Sequence, residues 1–169
     1  GKDEVELVLV GNLISRIVAQ TCRQSGLSIV YTELMDFGGD EIYFKEEPSL
    51  VGHTFAEALH AYEDSAIIGL KRAGQGVSLN PPMDTVIAAG DEIIAISEDD
   101  DTIRLNGLGS KKFQTDLILD CPPTLPSPEK TILLGWNWRA PAIIQELDNY
   151  VTPDSSITVV ADVPQADME

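Results

Sequence analysis

The densest group of chemically capable side chains is Glu98-Asp99-Asp100-Asp101, adjacent carboxylates that follow an apolar run. A hard cation such as Ca²⁺ takes several carboxylate oxygens in loose geometry. A strand end followed by such a run offers them as a metal site, although the spacing is not that of an EF-hand loop. The competing expectation is a solvated acidic loop. A second group is Gly135 in the turn Gly135-Trp136-Asn137-Trp138-Arg139, with Asp162 lying 27 residues further on. A glycine between strand and helix, and an acid after the next strand, is how a parallel sheet holds pyrophosphate and ribose. Here Trp136 and Trp138 stand where further glycines would let the backbone approach phosphate, which argues against a dinucleotide. Packing of the two indoles against a neighbouring lobe is the expected alternative. His53 and His60 are the only histidines. They are seven apart, not the four of a two-histidine metal site on a helix, and both read as surface or half-buried. No Ser-His-Asp, Cys-His or histidine-metal constellation can be assembled, so the chain does not read as an enzyme.

The elements that position these residues follow from periodicity and punctuation. Ile67 to Leu70 reads as a strand, Ala73-Gly74-Gln75-Gly76 as a hairpin loop, and Val77 to Asn80 as the returning strand. Pro81 and Pro82 stop it, and Gly90-Asp91 turns the chain into Glu92 to Ser97, a strand apolar enough for burial on both faces. Ahead of this lie a strand over Glu41 to Phe44 and a short helix with a Thr54/Glu57 capping box and an apolar stripe from Phe55 to Tyr62. Strand, capped helix, hairpin and strand give an α+β lobe. Further towards the N-terminus, Glu4 to Val10 reads as a strand ending at Gly11. Asn12 is the expected cap of a helix that Gly26 stops, and a second apolar segment runs from Leu27 to Phe37. Towards the C-terminus, residues 106–129 read as a brief strand at Asp116 to Leu119 and a Pro-rich linker. Thr131 to Leu134 reads as a buried strand, Pro141 as the first residue of a helix, and Ile157 to Asp162 as a second strand, a β-α-β opening of a Rossmann-like sheet.

Composition bounds the rest. The 169 residues are 43% hydrophobic, ample for a buried core, and 28 acidic against 11 basic residues leave a net charge of −17. Such a charge repels phosphate backbones and anionic lipid, so nucleic acid is not an expected partner. No run approaches the ~20 apolar residues that cross a bilayer, so any membrane connection is expected outside this segment. Cys22 and Cys121 form neither a metal spacing nor a disulfide framework, which fits a reducing compartment.

LNPPMDTVIAAGDEIIAIS resembles the C-terminal lobe of RCK domains, regulators of potassium conductance. KTILLGWNWRAPAIIQELDNYV, GDEIIAISEDDDTI and RIVAQTCRQSGLSIVYTELMDF are similar, in order, to segments of the CASTOR/POLLUX family of ion channels. That family carries Arg directly after Gly-Trp, whereas here Asn137 and Trp138 precede Arg139. The resemblance implies the end of a first Rossmann lobe and a helical crossover over 1–37, an RCK C-terminal lobe over 38–105, a linker over 106–129, and the start of a second Rossmann-like lobe over 130–169. It also implies a cytosolic gating domain of a potassium- or calcium-related cation channel that responds to a ligand or Ca²⁺. The ligand turn would be Gly135, Arg139 and Asp162, and the metal site Glu98, Asp99, Asp100 and Asp101. The implied partners are a pore-forming transmembrane segment of the same polypeptide and further copies in a ring. The alternative is an NAD(P)- or small-molecule-binding Rossmann protein with Asp162 on ribose.

Overall fold

The computed structural model describes residues 10–107, 117, 119, 122, 125–164, 166 and 168. In chain order the elements are α1 (Val10–Arg23), α2 (Leu27–Met35), β1 (Glu41–Glu46), α3 (Phe55–Leu59), β2 (Ala66–Arg72), β3 (Gly76–Leu79), β4 (Glu92–Ser97), β5 (Lys130–Leu134), α4 (Ala140–Asp148) and β6 (Ser156–Val160). They fall into two compact units, Ile29–Leu119 and Gly1–Ser28 with Asp120–Glu169.

The 29–119 unit is a four-stranded antiparallel sheet in the order β1-β4-β2-β3. Strand β4 lies inside the sheet, which is why its sequence is almost wholly apolar, and Ile93, Ile94 and Ala95 are all buried. Leu50, Phe55, Ala58, Leu70, Ile93 and Ile103 close the core on one face of the sheet. Each large apolar side chain buried there contributes ~1.5–3 kcal/mol relative to exposure. Helix α3 forms at a capping box: Thr54 Oγ1 accepts from Glu57 N–H, and the Glu57 carboxylate accepts from Thr54 N–H at 2.7 Å. It stops at Leu59, short of the stripe that extends to Tyr62, because Tyr62 leaves the helix to bridge Leu105. Positive φ at Gly74, Gly76 and Gly90 makes the hairpin and the turn into β4 possible.

In the other unit β5 and β6 pair in parallel, Lys130 with Ser156 through Leu134 with Val160. Helix α4 connects them. Thr131 and Ile157 gather around Ile144 and Leu147, and α1 packs on α4, burying Ser15 and Ala19. Arg23 pairs with Glu129 at 3.0 Å and lies 5.6 Å from the Tyr150 ring centroid.

Several expectations are corrected here. Val10 opens α1 rather than closing a strand, and Asn12 sits inside the helix rather than capping it, since Gly11 already serves as a helical acceptor for Ser15 Oγ. Residues 4–9 of that expected strand lie outside the described residues. So do Asp116 and Ile118 of the expected strand at 116–119, and much of the Pro-rich segment. Strand β5 is not buried on both faces: Ile132 is 67% and Leu134 79% exposed, because among the described residues α4 covers one side of the two-stranded sheet.

Candidate functional site

The loop after β5 and the residues after β6 lie at the same end of the parallel pair. The register Leu134 with Val160 puts Gly135 one residue, and Asp162 two residues, past paired positions. Gly135 has φ 89°, so glycine is required by conformation. A side chain there would meet nothing within 4 Å, and the Gly135 N–H donates to Val160 O at 2.7 Å. The donor that would cradle a phosphate therefore extends the strand ladder instead.

Arg139 N–H is likewise taken, by Asn137 Oδ1 at 2.8 Å, and Ala140 N–H donates to Asn137 O. The extra Asn137 thus works as a local turn acceptor at the start of α4. The Arg139 guanidinium stacks on the Trp138 ring at 4.1 Å, and its buried Nε has no hydrogen-bond partner. Trp138 is 73% exposed and lies within van der Waals reach of a side chain at Gly11, inside its own unit. Asp162 is exposed. Gly135 and Asp162 thus share one end of the sheet and Arg139 stands at the helix entry, but the N–H groups of Gly135, Arg139 and Ala140 are spent within the chain.

A depression beside β5, lined by Val18, Cys22, Ile132, Trp136 and Ile143 among others, is mainly apolar. It suits packing better than recognition of a charged ligand.

The acidic run sits in the other unit. Glu98 follows β4, and Asp99 caps a single 3₁₀ turn over Asp100–Thr102, its carboxylate accepting from Asp100 N–H at 2.7 Å. The turn is fastened from inside by a chain of hydroxyls in which Ser65 Oγ lies 3.0 Å from Ser97 Oγ, and Ser97 Oγ 2.6 Å from Thr102 Oγ1. Arg104 Nε donates to Asp101 O. Among the described residues no group of three or more His, Cys, Asp and Glu side chains is placed to hold a metal ion. The acids act nearby on Tyr43, whose hydroxyl donates to Glu41 at 3.1 Å. Burial first, then that hydrogen bond and the charges of Glu41, Asp99 and Asp100, push its phenol above the ordinary value. His53 lies 3.5 Å from Glu57 beside the capping box, and His60 follows α3.

Sequence reasoning treated Gly90-Asp91 as a turn and missed what Asp91 does. Asp91 is 6% exposed, and its two oxygens accept from Ala73 N–H at 3.2 Å and Ala88 N–H at 3.0 Å, with Arg72 Nε at 3.8 Å. Arg72 also donates to Val86 O. One buried carboxylate thereby ties the β2–β3 hairpin loop to the turn entering β4. Its signal in the sequence is an acid directly before an apolar strand.

This antiparallel lobe, in a chain that also carries a Rossmann-like β-α-β, defines an RCK-type fold. The chain aligns with the human SLO3 gating ring at a TM-score of 0.55 and 16% identity, over 88% of this chain and 35% of that one. It belongs to the Castor and Pollux family: the family model described as "Castor and Pollux, part of voltage-gated ion channel" matches residues 11–112. Over its whole length the chain is 32% identical to the probable ion channel CASTOR of Oryza sativa subsp. japonica and 31% identical to the probable ion channel POLLUX of Arabidopsis thaliana. It covers 19% and 20% of those relatives, about a fifth of their length. The family resemblance carried by the three sequence segments is thereby met.

Proposed function

We propose that this chain is a non-catalytic regulatory segment of a cation channel of the Castor and Pollux type, in which the 38–105 lobe responds to its surroundings and biases a pore carried elsewhere on the same polypeptide. The observation that carries this reading is the closed antiparallel lobe within the residues matched by the family model. Residues 130–169 open a second Rossmann-like lobe, and the uncovered face at Ile132, Leu134 and Val160 is where further helical chain of the same polypeptide packs. Among the described residues no helix is long and apolar enough to cross a membrane, so in this reading the segment stands on the cytosolic face of a membrane protein. Copies associate through the α1 and α2 region, as a gating assembly requires.

The test is current recording from the full-length channel, with and without Asp91→Ala, which loosens the lobe far from any pore. Altered opening with unchanged unitary conductance is expected, and unchanged opening would overturn the regulatory role. The enzyme-like alternative is weakened by the spent donors at Gly135 and Arg139. Calorimetric titration with NADH is expected to show no tight binding, and tight binding that Asp162→Ala abolishes would restore that alternative.

A further inference from the structure

The sequence holds two hydroxyl-proline pairs, Ser127-Pro128 and Thr152-Pro153, and the fold treats them oppositely. Thr152 lies in the turn between α4 and β6, where its carbonyl accepts from Ser155 N–H and its Oγ1 is buried without a hydrogen-bond partner. Ser127 is exposed, as are Leu125, Pro126 and Pro128 beside it, and residues 125–129 belong to neither helix nor strand. Pro126 fixes its own φ, and Pro128 keeps Ser127 out of the helical region. The hydroxyl is therefore presented on extended chain that leads into β5.

An exposed hydroxyl on extended chain is what the cleft of a protein kinase takes, and a segment already held extended loses little entropy on binding. Proline directly after the acceptor selects among kinases, because it has no N–H and suits a subsite that asks for none. Lys130, three residues after Ser127 and exposed at the first position of β5, supplies a cation for an acidic subsite. At the corresponding position after Thr152 stands Ser155, which carries no charge.

The same unit holds a receiver for the phosphate. Glu129, two residues beyond Ser127, pairs with Arg23 at 3.0 Å, and both side chains remain open to solvent. Two residues of extended chain span at most ~7 Å, within the sweep of an arginine side chain. The pair uses Arg23 Nη1, and a guanidinium carries further N–H donors in a fork that fits phosphate oxygens. A phosphoserine brings a charge of about −1.5 to −2, more than the Glu129 carboxylate, so it draws Arg23 more strongly. Arg23 stands in the last turn of α1, where an added anion is unfavourable unless a cation neutralises it.

We propose that Ser127 is a phosphoryl acceptor for a proline-directed protein kinase, and that its phosphate is held by Arg23 at the end of α1. Ser127 Oγ attacks the γ-phosphorus of ATP, and the bond from that phosphorus to the bridging oxygen breaks. ADP leaves with the electron pair, and the hydroxyl proton passes to the catalytic carboxylate of the kinase.

The experiment incubates the 169-residue chain with a purified cyclin-dependent kinase, Mg²⁺ and ATP, and maps the phosphate by mass spectrometry. One phosphate per chain is expected, on Ser127, at a rate close to that of a synthetic peptide of residues 122–133, since the fold leaves Ser127 open. Ser127→Ala should abolish incorporation, and Lys130→Gln should slow it several-fold. Incorporation at Thr152 in preference to Ser127, incorporation in the peptide but not the chain, or incorporation in neither would overturn the site.

Tryptophan fluorescence reads the fate of the phosphate, because Trp136 and Trp138 share a unit with Ser127 and Arg23. Phosphorylation should raise the melting temperature seen by this signal by a few degrees. In the phosphorylated Arg23→Gln chain the shift should vanish or reverse, since the added anion then meets the end of α1 without its cation. The absence of a shift in the parent, or an equal shift in both chains, would overturn the Arg23 contact.

Discussion

The two units meet one requirement, the burial of an apolar sheet face, by unequal means. In the 29–119 unit a four-stranded sheet, α3 and the segments around Leu50 and Ile103 enclose a core in which the large side chains are almost fully covered. In the other unit a two-stranded parallel pair has α4 on one side and exposes Ile132, Leu134 and Val160 on the other. Parallel strands are ordinarily covered on both faces. The contrast teaches that the first unit encloses its own core, while the second leaves one apolar sheet face exposed among the described residues. Both tryptophans, Trp136 and Trp138, lie in the second unit, so their fluorescence follows it alone, whereas circular dichroism follows both.

The largest expected effect tests the closed core. Phe55→Ala should cost ~3–5 kcal/mol by denaturant unfolding, the usual range for emptying a buried aromatic site. It should shift the dichroism transition and leave the tryptophan transition in place. If both transitions move together, the units do not unfold separately and the comparison fails.

Asp91→Ala should follow at ~1–3 kcal/mol, since Ala73 and Ala88 N–H lose their acceptor and Arg72 loses its counter-charge. A cost within experimental error would show that the carboxylate does not hold the hairpin to the β4 turn.

Smaller again is Thr54→Ala, at ~1 kcal/mol for loss of a helix cap. Here pH supplies a second reading. Backbone and then side-chain hydrogen bonds from Thr54, assisted by His53, hold the Glu57 carboxyl below its ordinary value. A depressed folded value means that its contribution is fully present above the ordinary carboxylate range and is lost as pH falls through the folded value. Stability of the parent should therefore decline on acidification more steeply than that of Thr54→Ala. Parallel pH profiles would remove the Thr54 hydroxyl from the account and leave only its backbone N–H on Glu57.

The smallest effect sharpens the contrast. Leu134→Ser should change the stability of this chain by no more than ~0.5 kcal/mol, as for an ordinary exposed position. In the full-length protein, where the proposed further chain covers that face, the same substitution should cost several times more. A large cost in the isolated chain would mean that Leu134 is already buried.

The sequence by itself determined what depends on near neighbours. The Thr54/Glu57 box, the Gly74 and Gly76 hairpin, the stop at Pro81, the turn at Gly90 and the buried character of β4 were all legible, because each follows from local sterics, local hydrogen bonds or a run of apolar residues. Family membership was legible for a related reason, since these punctuation marks recur in order along the chain. Only the tertiary structure decided which surfaces meet. It put α1 on α4 across more than a hundred residues of chain, buried Asp91 between two backbone donors, bent Tyr62 away from its helix to Leu105, and set Glu41 beside Asp99 and Asp100 around Tyr43. It also left Ile132 and Leu134 uncovered although their apolar run predicts burial. Apolar periodicity states which face must be buried, but the partner that covers it comes from distant chain, and a single sequence carries no term for that distance.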